Sequence, residues 1–186
     1  MAKRNKGKFE PSPRDFYSTP KGPCKPLLHY LKDQQLNFAE PCAGDGTLFR
    51  FMQHLSNNKI KCTFACDIEP KDKGIRKMDA LELVEKDLSK NGVDVIITNP
   101  PWSRDTLHQL IDFLPDLRPT FLLFDTNWMH QVQSIPYLPR LRRVISVGRV
   151  SWMMNNVSGF DDCAWYEFGP EVKDNTIEFI GRVARF

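Results

Sequence analysis

The chain has 186 residues, of which 41% are hydrophobic and 26% charged, and carries a formal net charge of +3. This length fits one domain that buries about 70% of its unfolded surface and needs no disulfide or metal staple. No apolar run approaches the ~18–20 residues that span a bilayer, and no apolar stretch follows the basic start MAKRNKGKFE, so a secretory signal is not expected.

Charge is unevenly spread. Lys3, Arg4, Lys6, Lys8 and Arg14 fall in residues 1–14, opposed only by Glu10. Such a run reads as a solvated tail, and equally as a flexible arm that touches phosphates. Pro11 and Pro13 keep it from regular structure. The cysteines, Cys24, Cys42, Cys62, Cys66 and Cys163, form no C-x-x-C pair. An odd, scattered set fits free thiols in a reducing cytoplasm, and no metal site is expected.

After DFYSTP, the spacing of Leu27, Leu28 and Leu31 predicts a short helix over 24–32. Residues 37–42 read as a buried strand that ends in the turn Ala43-Gly44-Asp45-Gly46. Thr47 opens a helix whose apolar face is Leu48, Phe51, Met52 and Leu55. Strands are expected at 61–67 and, shorter, at 75–78, with a helix over 80–88. Val93 to Thr98 is a continuous apolar run, as in a strand buried on both faces. A helix over 106–114, stopped by Pro115, leads to a strand at 120–124. The last third holds strands at 143–152, 163–168 and 176–183 joined as hairpins. Strand–helix units followed by hairpins predict one α/β domain over 15–186, a mostly parallel sheet with an antiparallel C-terminal edge.

In such a sheet, ligands bind beyond the carboxyl ends of the strands. Gly44 and Gly46 therefore stand where a ligand approaches main chain closely. Phe49 occupies the place of the third glycine in the dinucleotide fingerprint, which disfavours a pyrophosphate cofactor. Asp67 follows about 20 residues on, where a carboxylate accepts both ribose hydroxyls of an adenosine. An adenosyl ligand without phosphates satisfies both facts.

The run Val95-Ile96-Ile97-Thr98 enters Asn99-Pro100-Pro101-Trp102. Two prolines end a strand, but they do not explain why Asn and Trp bracket them. An exocyclic amine on a base is a poor nucleophile, because its lone pair is delocalised into the ring. The Asn99 side-chain carbonyl and the Pro100 backbone carbonyl offer two acceptors that hold such a nitrogen and aim it. Trp102 offers a flat surface for a base flipped out of a duplex.

These segments resemble the motifs of S-adenosylmethionine-dependent DNA adenine-N6 methyltransferases with a class I, Rossmann-like fold. FYSTP resembles that family's F-Y-x-T-P motif and implies cofactor contacts from Phe16, Tyr17, Thr19 and Pro20. EPCAGDGTL resembles its first motif and implies that Glu40, Pro41, Cys42, Ala43, Gly44, Asp45 and Gly46 wrap the methionine part. Asp67, with Ile68, matches the ribose acid and its neighbour, while Asp79, with Ala80, matches the acid beside the cofactor's adenine. A lone acid before a helix is also an ordinary N-cap. NPPW resembles the N-P-P-aromatic motif, which makes Asn99, Pro100 and Trp102 catalytic and places Asn99 against the cofactor as well. GRVSW, residues 148–152, resembles G-R-x-x-F, with Trp152 replacing the usual Phe on the other face of the base.

The resemblance implies S-adenosyl-L-methionine as cofactor, DNA as partner and a cytoplasmic location, that of the host if phage-encoded. RNA or a protein glutamine are alternative substrates of N-P-P-aromatic enzymes, and a silent cofactor-binding module is a third reading. About 18 residues follow Phe168, so a minimal, phage-like form without a separate target-recognition domain is expected. Its reader would be the tail, the cluster Arg140, Arg142 and Arg143, or a specificity partner or second copy.

Overall fold

The computed structural model describes residues 17–152 and 162–182. Phe16 and the basic residues Lys3, Arg4, Lys6, Lys8 and Arg14 lie outside that range. The described chain forms eight strands: β1 (Leu36–Glu40), β2 (Ile60–Asp67), β3 (Arg76–Lys77), β4 (Val95–Thr98), β5 (Thr120–Asp125), β6 (Leu141–Arg149), β7 (Asp162–Phe168) and β8 (Glu178–Ile180). Its α-helices are α1 (Lys21–Tyr30), α2 (Thr47–Leu55), α3 (Glu85–Lys90) and α4 (Arg104–Leu117). None of these helices is long and apolar enough to cross a membrane.

The strands make one sheet in the order β3-β2-β1-β4-β5-β7-β6-β8. Strand order reverses between β1 and β4, so a crevice opens beyond their carboxyl ends. β7 runs antiparallel to β5 and β6, while the other pairs are parallel.

Burial alternates along the strands and divides the core. Phe38, Ile97, Phe121, Leu123, Ile145 and Trp165 face α1 and α2. Ala39, Ile96, Leu122, Phe124, Val144 and Tyr166 face α4 and the region around Leu83 and Leu88. Side chains successive in a strand point to opposite faces, so these clusters cover the two sides of the sheet.

Five expectations from sequence need correction. The helix over 80–88 is split into a 3₁₀ turn, Ala80–Glu82, and α3. Leu83 and Val84 are extended between them, which buries Leu83. α4 runs through Pro115 to Leu117, because a proline in the last turn removes one hydrogen bond without ending the packed face. The first helix starts at Lys21, with Pro20 as its N-cap, rather than at Cys24. β6 starts two residues earlier than expected and ends at Arg149, where the register slips beside Gly148 at φ +82°. β8 is not a hairpin partner of β7; it crosses to the far edge and pairs parallel with β6.

Trp165 is fully buried, and its indole N–H donates to the Pro23 carbonyl at 2.8 Å, tying α1 to the sheet. Trp165→Phe keeps most of the apolar bulk but deletes that donor. It should cost about 1–3 kcal/mol, read in thermal melts as a Tm lower by roughly 2–4 °C per kcal/mol. An unchanged Tm would show that the tie contributes nothing.

Candidate active site

The glycine loop between β1 and α2 is braced from three sides. The Cys42 N–H donates to Thr98 Oγ1 at the end of β4, 3.2 Å away. The Gly44 N–H donates to Asp67 Oδ2 at the end of β2, 2.8 Å away. Ser18 Oγ donates to Asp45 Oδ2 at 2.7 Å, and Asp45 Oδ1 accepts the first amide of α2, from Thr47, at 2.9 Å. The two glycines have separate tasks. Gly44, at φ +54°, faces the crevice, whereas Gly46, at φ +77°, is the left-handed N-cap of α2. A Cβ on Gly46 would come within 2.6 Å of the Phe49 ring, so a side chain is excluded there.

The crevice holds a cavity of about 700 Å³. Of the residues singled out in the sequence, Tyr17, Thr19, Glu40, Pro41, Cys42, Ala43, Gly44, Asp45, Asp67, Ile68, Asp79, Ala80 and Asn99 line it. Pro20, Gly46, Pro100 and Trp102 do not. Among the lining residues the sequence reading missed are Glu69, Lys71, Leu81 and, on α4, Thr106, Gln109 and Leu110. The signal for the last three was available: they recur at helical spacing just after NPPW and so share the face turned to the crevice.

Five carboxylates line this cavity, Glu40, Asp45, Asp67, Glu69 and Asp79, against one ammonium, Lys71. Asp67 Oδ1 accepts from the Glu69 N–H at 2.7 Å, so both of its oxygens are fixed in place. Asp79 does cap the 3₁₀ turn, accepting from Leu81 at 2.9 Å, while also facing the cavity. Glu40 is buried, and its Oε2 has no hydrogen-bond partner. Burial pushes its carboxyl well above the ordinary glutamate range, opposed by an N–H from Phe49. A buried acid left half-unsatisfied at the edge of a cavity is costly, and a cation is what would relieve it. A cleft lined mostly by carboxylates repels a pyrophosphate and suits a positively charged adenosyl ligand.

NPPW leaves β4 at the middle of this cleft. Asn99 Nδ2 donates to the buried Thr19 Oγ1 at 3.1 Å, which fixes the orientation of the amide. Asn99 Oδ1 accepts from Trp102 Nε1 at 3.2 Å, and the same indole N–H is shared with the Leu123 carbonyl at 3.1 Å. Trp152 lies just beyond β6 and meets Trp102 edge to face, centroids 5.5 Å apart, with Tyr17 6.4 Å from Trp152. The three aromatics do gather at the motif, but Trp102 and Trp152 are perpendicular rather than parallel, so a base between them requires one ring to turn.

The arginine cluster does not form the expected phosphate reader. β6 runs parallel to β5, and Leu141 is level with Thr120, at the edge opposite the crevice. Arg140 pairs with Asp116 at 2.7 Å, and Arg143 pairs with Glu178 at 2.6 Å and with Glu167. Arg142 donates to the carbonyls of Pro139 and Pro170 and to Asn175. All three cations are consumed by their own fold.

No family model matches this chain, and no curated protein matches it. Solved structures do. It superposes on a protein assigned as a class I S-adenosylmethionine-dependent methyltransferase from Listeria monocytogenes with a TM-score of 0.53 and 10% identity, covering 87% of this chain and 65% of that one. A protein assigned as an RNA methyltransferase from Pyrococcus horikoshii gives 0.52 and 13%, covering 91% and 94%. A type I restriction-modification methyltransferase subunit from Streptococcus thermophilus gives 0.51 and 11%, covering 86% and 44%. The chain thus spans 65% of the first protein's length and less than half of the third's. At these identities the likeness establishes the fold: a class I methyltransferase fold, as the sequence led us to expect.

Glu40 gives a test independent of any ligand. Its raised folded-state pKa means that the stability tied to its protonation is present at acid pH and lost as pH rises from the ordinary glutamate range through the folded value. Glu40→Gln removes that dependence. The Tm of the wild type should therefore fall relative to Glu40→Gln as pH is raised from 5 to 8. Parallel Tm curves would contradict the burial of an unsatisfied acid.

Proposed function

We propose that the chain transfers a methyl group from S-adenosyl-L-methionine to the exocyclic amino group of adenine in DNA, by way of Asn99, Pro100 and the aromatics around them. The observation that carries this reading is the Asn99 amide, fixed by Thr19 at the rim of a carboxylate-lined adenosyl cleft. The cleft fits the cofactor: the orphaned Glu40 oxygen would accept from its ammonium, Asp67 would hold its ribose, and Asp79 with Ile68 would flank its adenine. Gly44 lets the main chain approach closely.

When bound, the cofactor supplies a methyl on a positively charged sulfur, so transfer to a neutral amine discharges that centre. The protein's contribution is placement. Asn99 Oδ1 and the Pro100 carbonyl accept the two amine hydrogens and localise the nitrogen lone pair. Thr19 holds Asn99 so that oxygen, not nitrogen, faces the substrate. The carbonyl's second lone pair admits the amine beside Trp102, whose N–H keeps Leu123 as an alternative partner. The protonated product amine is a strong acid and sheds its proton to water at the open cleft.

FYSTP, tied to Asp45 through Ser18 and to Asn99 through Thr19, supports the DNA branch of the family resemblance. With Arg140, Arg142 and Arg143 engaged inside the fold, exposed Arg104 and Arg149 are the cations nearest NPPW and GRVSW in sequence and take the place of phosphate contacts. The near-complete overlap with the Pyrococcus protein keeps RNA as the second reading.

The protein incubated with methyl-labelled cofactor and separate DNA, RNA and protein pools should give labelled N6-methyladenine in DNA. Label confined to RNA or protein would overturn the substrate assignment. Asp67→Ala should weaken cofactor binding by calorimetry roughly 10- to 100-fold, as expected for the loss of hydrogen bonds to a charged group. Unaltered affinity would remove Asp67 from the site.

A further inference from the structure

A second, smaller cavity of about 310 Å³ has Trp102 as one of its walls. Of its other lining residues only Arg104 enters the chemistry above, as a phosphate contact at the cavity's exposed rim. Its floor is aromatic: Phe124 and Trp128 meet edge to face with centroids 5.3 Å apart. Trp128 is buried, and its indole N–H donates to His108 Nε2 at 3.0 Å, which holds the ring in place. The rim is polar. Gln133 Nε2 donates to Gln131 Oε1, so the pair presents the amide N–H groups of Gln131 beside the carbonyl of Gln133. Arg104 and Asp125 add one charge of each sign.

These features define an occupant. The volume is at the small end of ligand sites, room for one planar ring system and not for a whole coenzyme. Phe124 and Trp128 are buried and close the floor, so the half-buried Trp102 is the wall that offers a ring for stacking. A neighbouring amide donor and acceptor match the edge of a base, as in the pairing of Gln with adenine. Opposed charges on the rim select a neutral group over a phosphate or a cation.

Position supplies the rest. Trp102 both lines this cavity and donates to Asn99, so the occupant sits one indole ring from the amine acceptor. Bases along a strand are about 3.4 Å apart, and a ring inserted between two of them roughly doubles that step. Trp102 packs against both hydrophobic clusters, at the place where the two sides of the sheet meet. We propose that the second cavity receives the nucleobase next to the one that is methylated, with Trp102 wedged between the two. This rests on the DNA reading above. It makes Gln131 and Gln133 specificity residues in a stretch with no other recognisable role.

The test uses short oligonucleotides with one target adenine and an abasic residue on its 5′ or its 3′ side. Loss of one stacked base should lower kcat/KM roughly 5- to 150-fold on one of the two sides. The double variant Gln131→Ala/Gln133→Ala, shown to be folded by its melt, should lose the wild type's preference among bases at that side. Equal rates on abasic and intact DNA would overturn the second site while leaving the methyltransferase reading intact. Should no DNA be methylated, the DNA reading fails on its own, and photo-cross-linking still decides the cavity. Oligonucleotides carrying 5-iododeoxyuridine should then attach to the peptide holding Trp128, and attachment elsewhere or none would overturn the proposal.

Discussion

The site depends on what the carboxyl end of β4 holds together. Thr98 accepts the Cys42 amide and so fixes the glycine loop. One residue on, Asn99 reaches Thr19, 80 positions earlier in the chain. Three further on, Trp102 shares its N–H between Asn99 and Leu123 at the end of β5. One strand end thus joins the N-terminal motif, the glycine loop and the neighbouring strand. It can do so because β4 lies at the switch point, buried on both sides, and because Pro100 and Pro101 stop the strand where these partners converge.

Electrostatics supply the second constraint. A cleft with five carboxylates and one ammonium carries a stability cost, greatest at Glu40, which is buried with one oxygen unsatisfied. That is the pattern of a site whose stability is completed by its ligand. It also explains the separate uses of the acids. Asp45 caps α2 and latches Ser18, Asp67 is held by two main-chain amides, and Asp79 caps a 3₁₀ turn. Each holds its structural role while facing the cavity, so capping by Asp79 is compatible with the adenine contact proposed for it.

Much of this was legible in the sequence because short-range chemistry dictated it. The apolar run before NPPW required a buried strand, and paired glycines before an amphipathic run required a turn into a helix. The order of strands and helices then placed both motifs at one edge. What escaped the sequence was set by long-range partners. Nothing local says that Arg140, Arg142 and Arg143 sit where β6 begins, at the end of the sheet opposite the crevice, and meet Asp116, Glu167, Glu178 and Asn175. The split of residues 80–88 follows from the burial of Leu83, which competes with a periodicity that looked helical. β8 pairs with β6 rather than β7, a choice that adjacency in sequence argues against. The polar rim made by Gln131 and Gln133 falls between and within two 3₁₀ segments, Thr126–His130 and Val132–Arg140, to which the sequence reading assigned no element.

The central claim is that the Asn99 carbonyl accepts the substrate amine. Single-turnover methyl transfer at saturating cofactor tests it most directly, comparing the wild type with Asn99→Ala. Removing a preordered acceptor of this kind should slow the chemical step by about 10²–10³-fold, with cofactor affinity little changed. Transfer by Asn99→Ala at the wild-type rate would contradict the account.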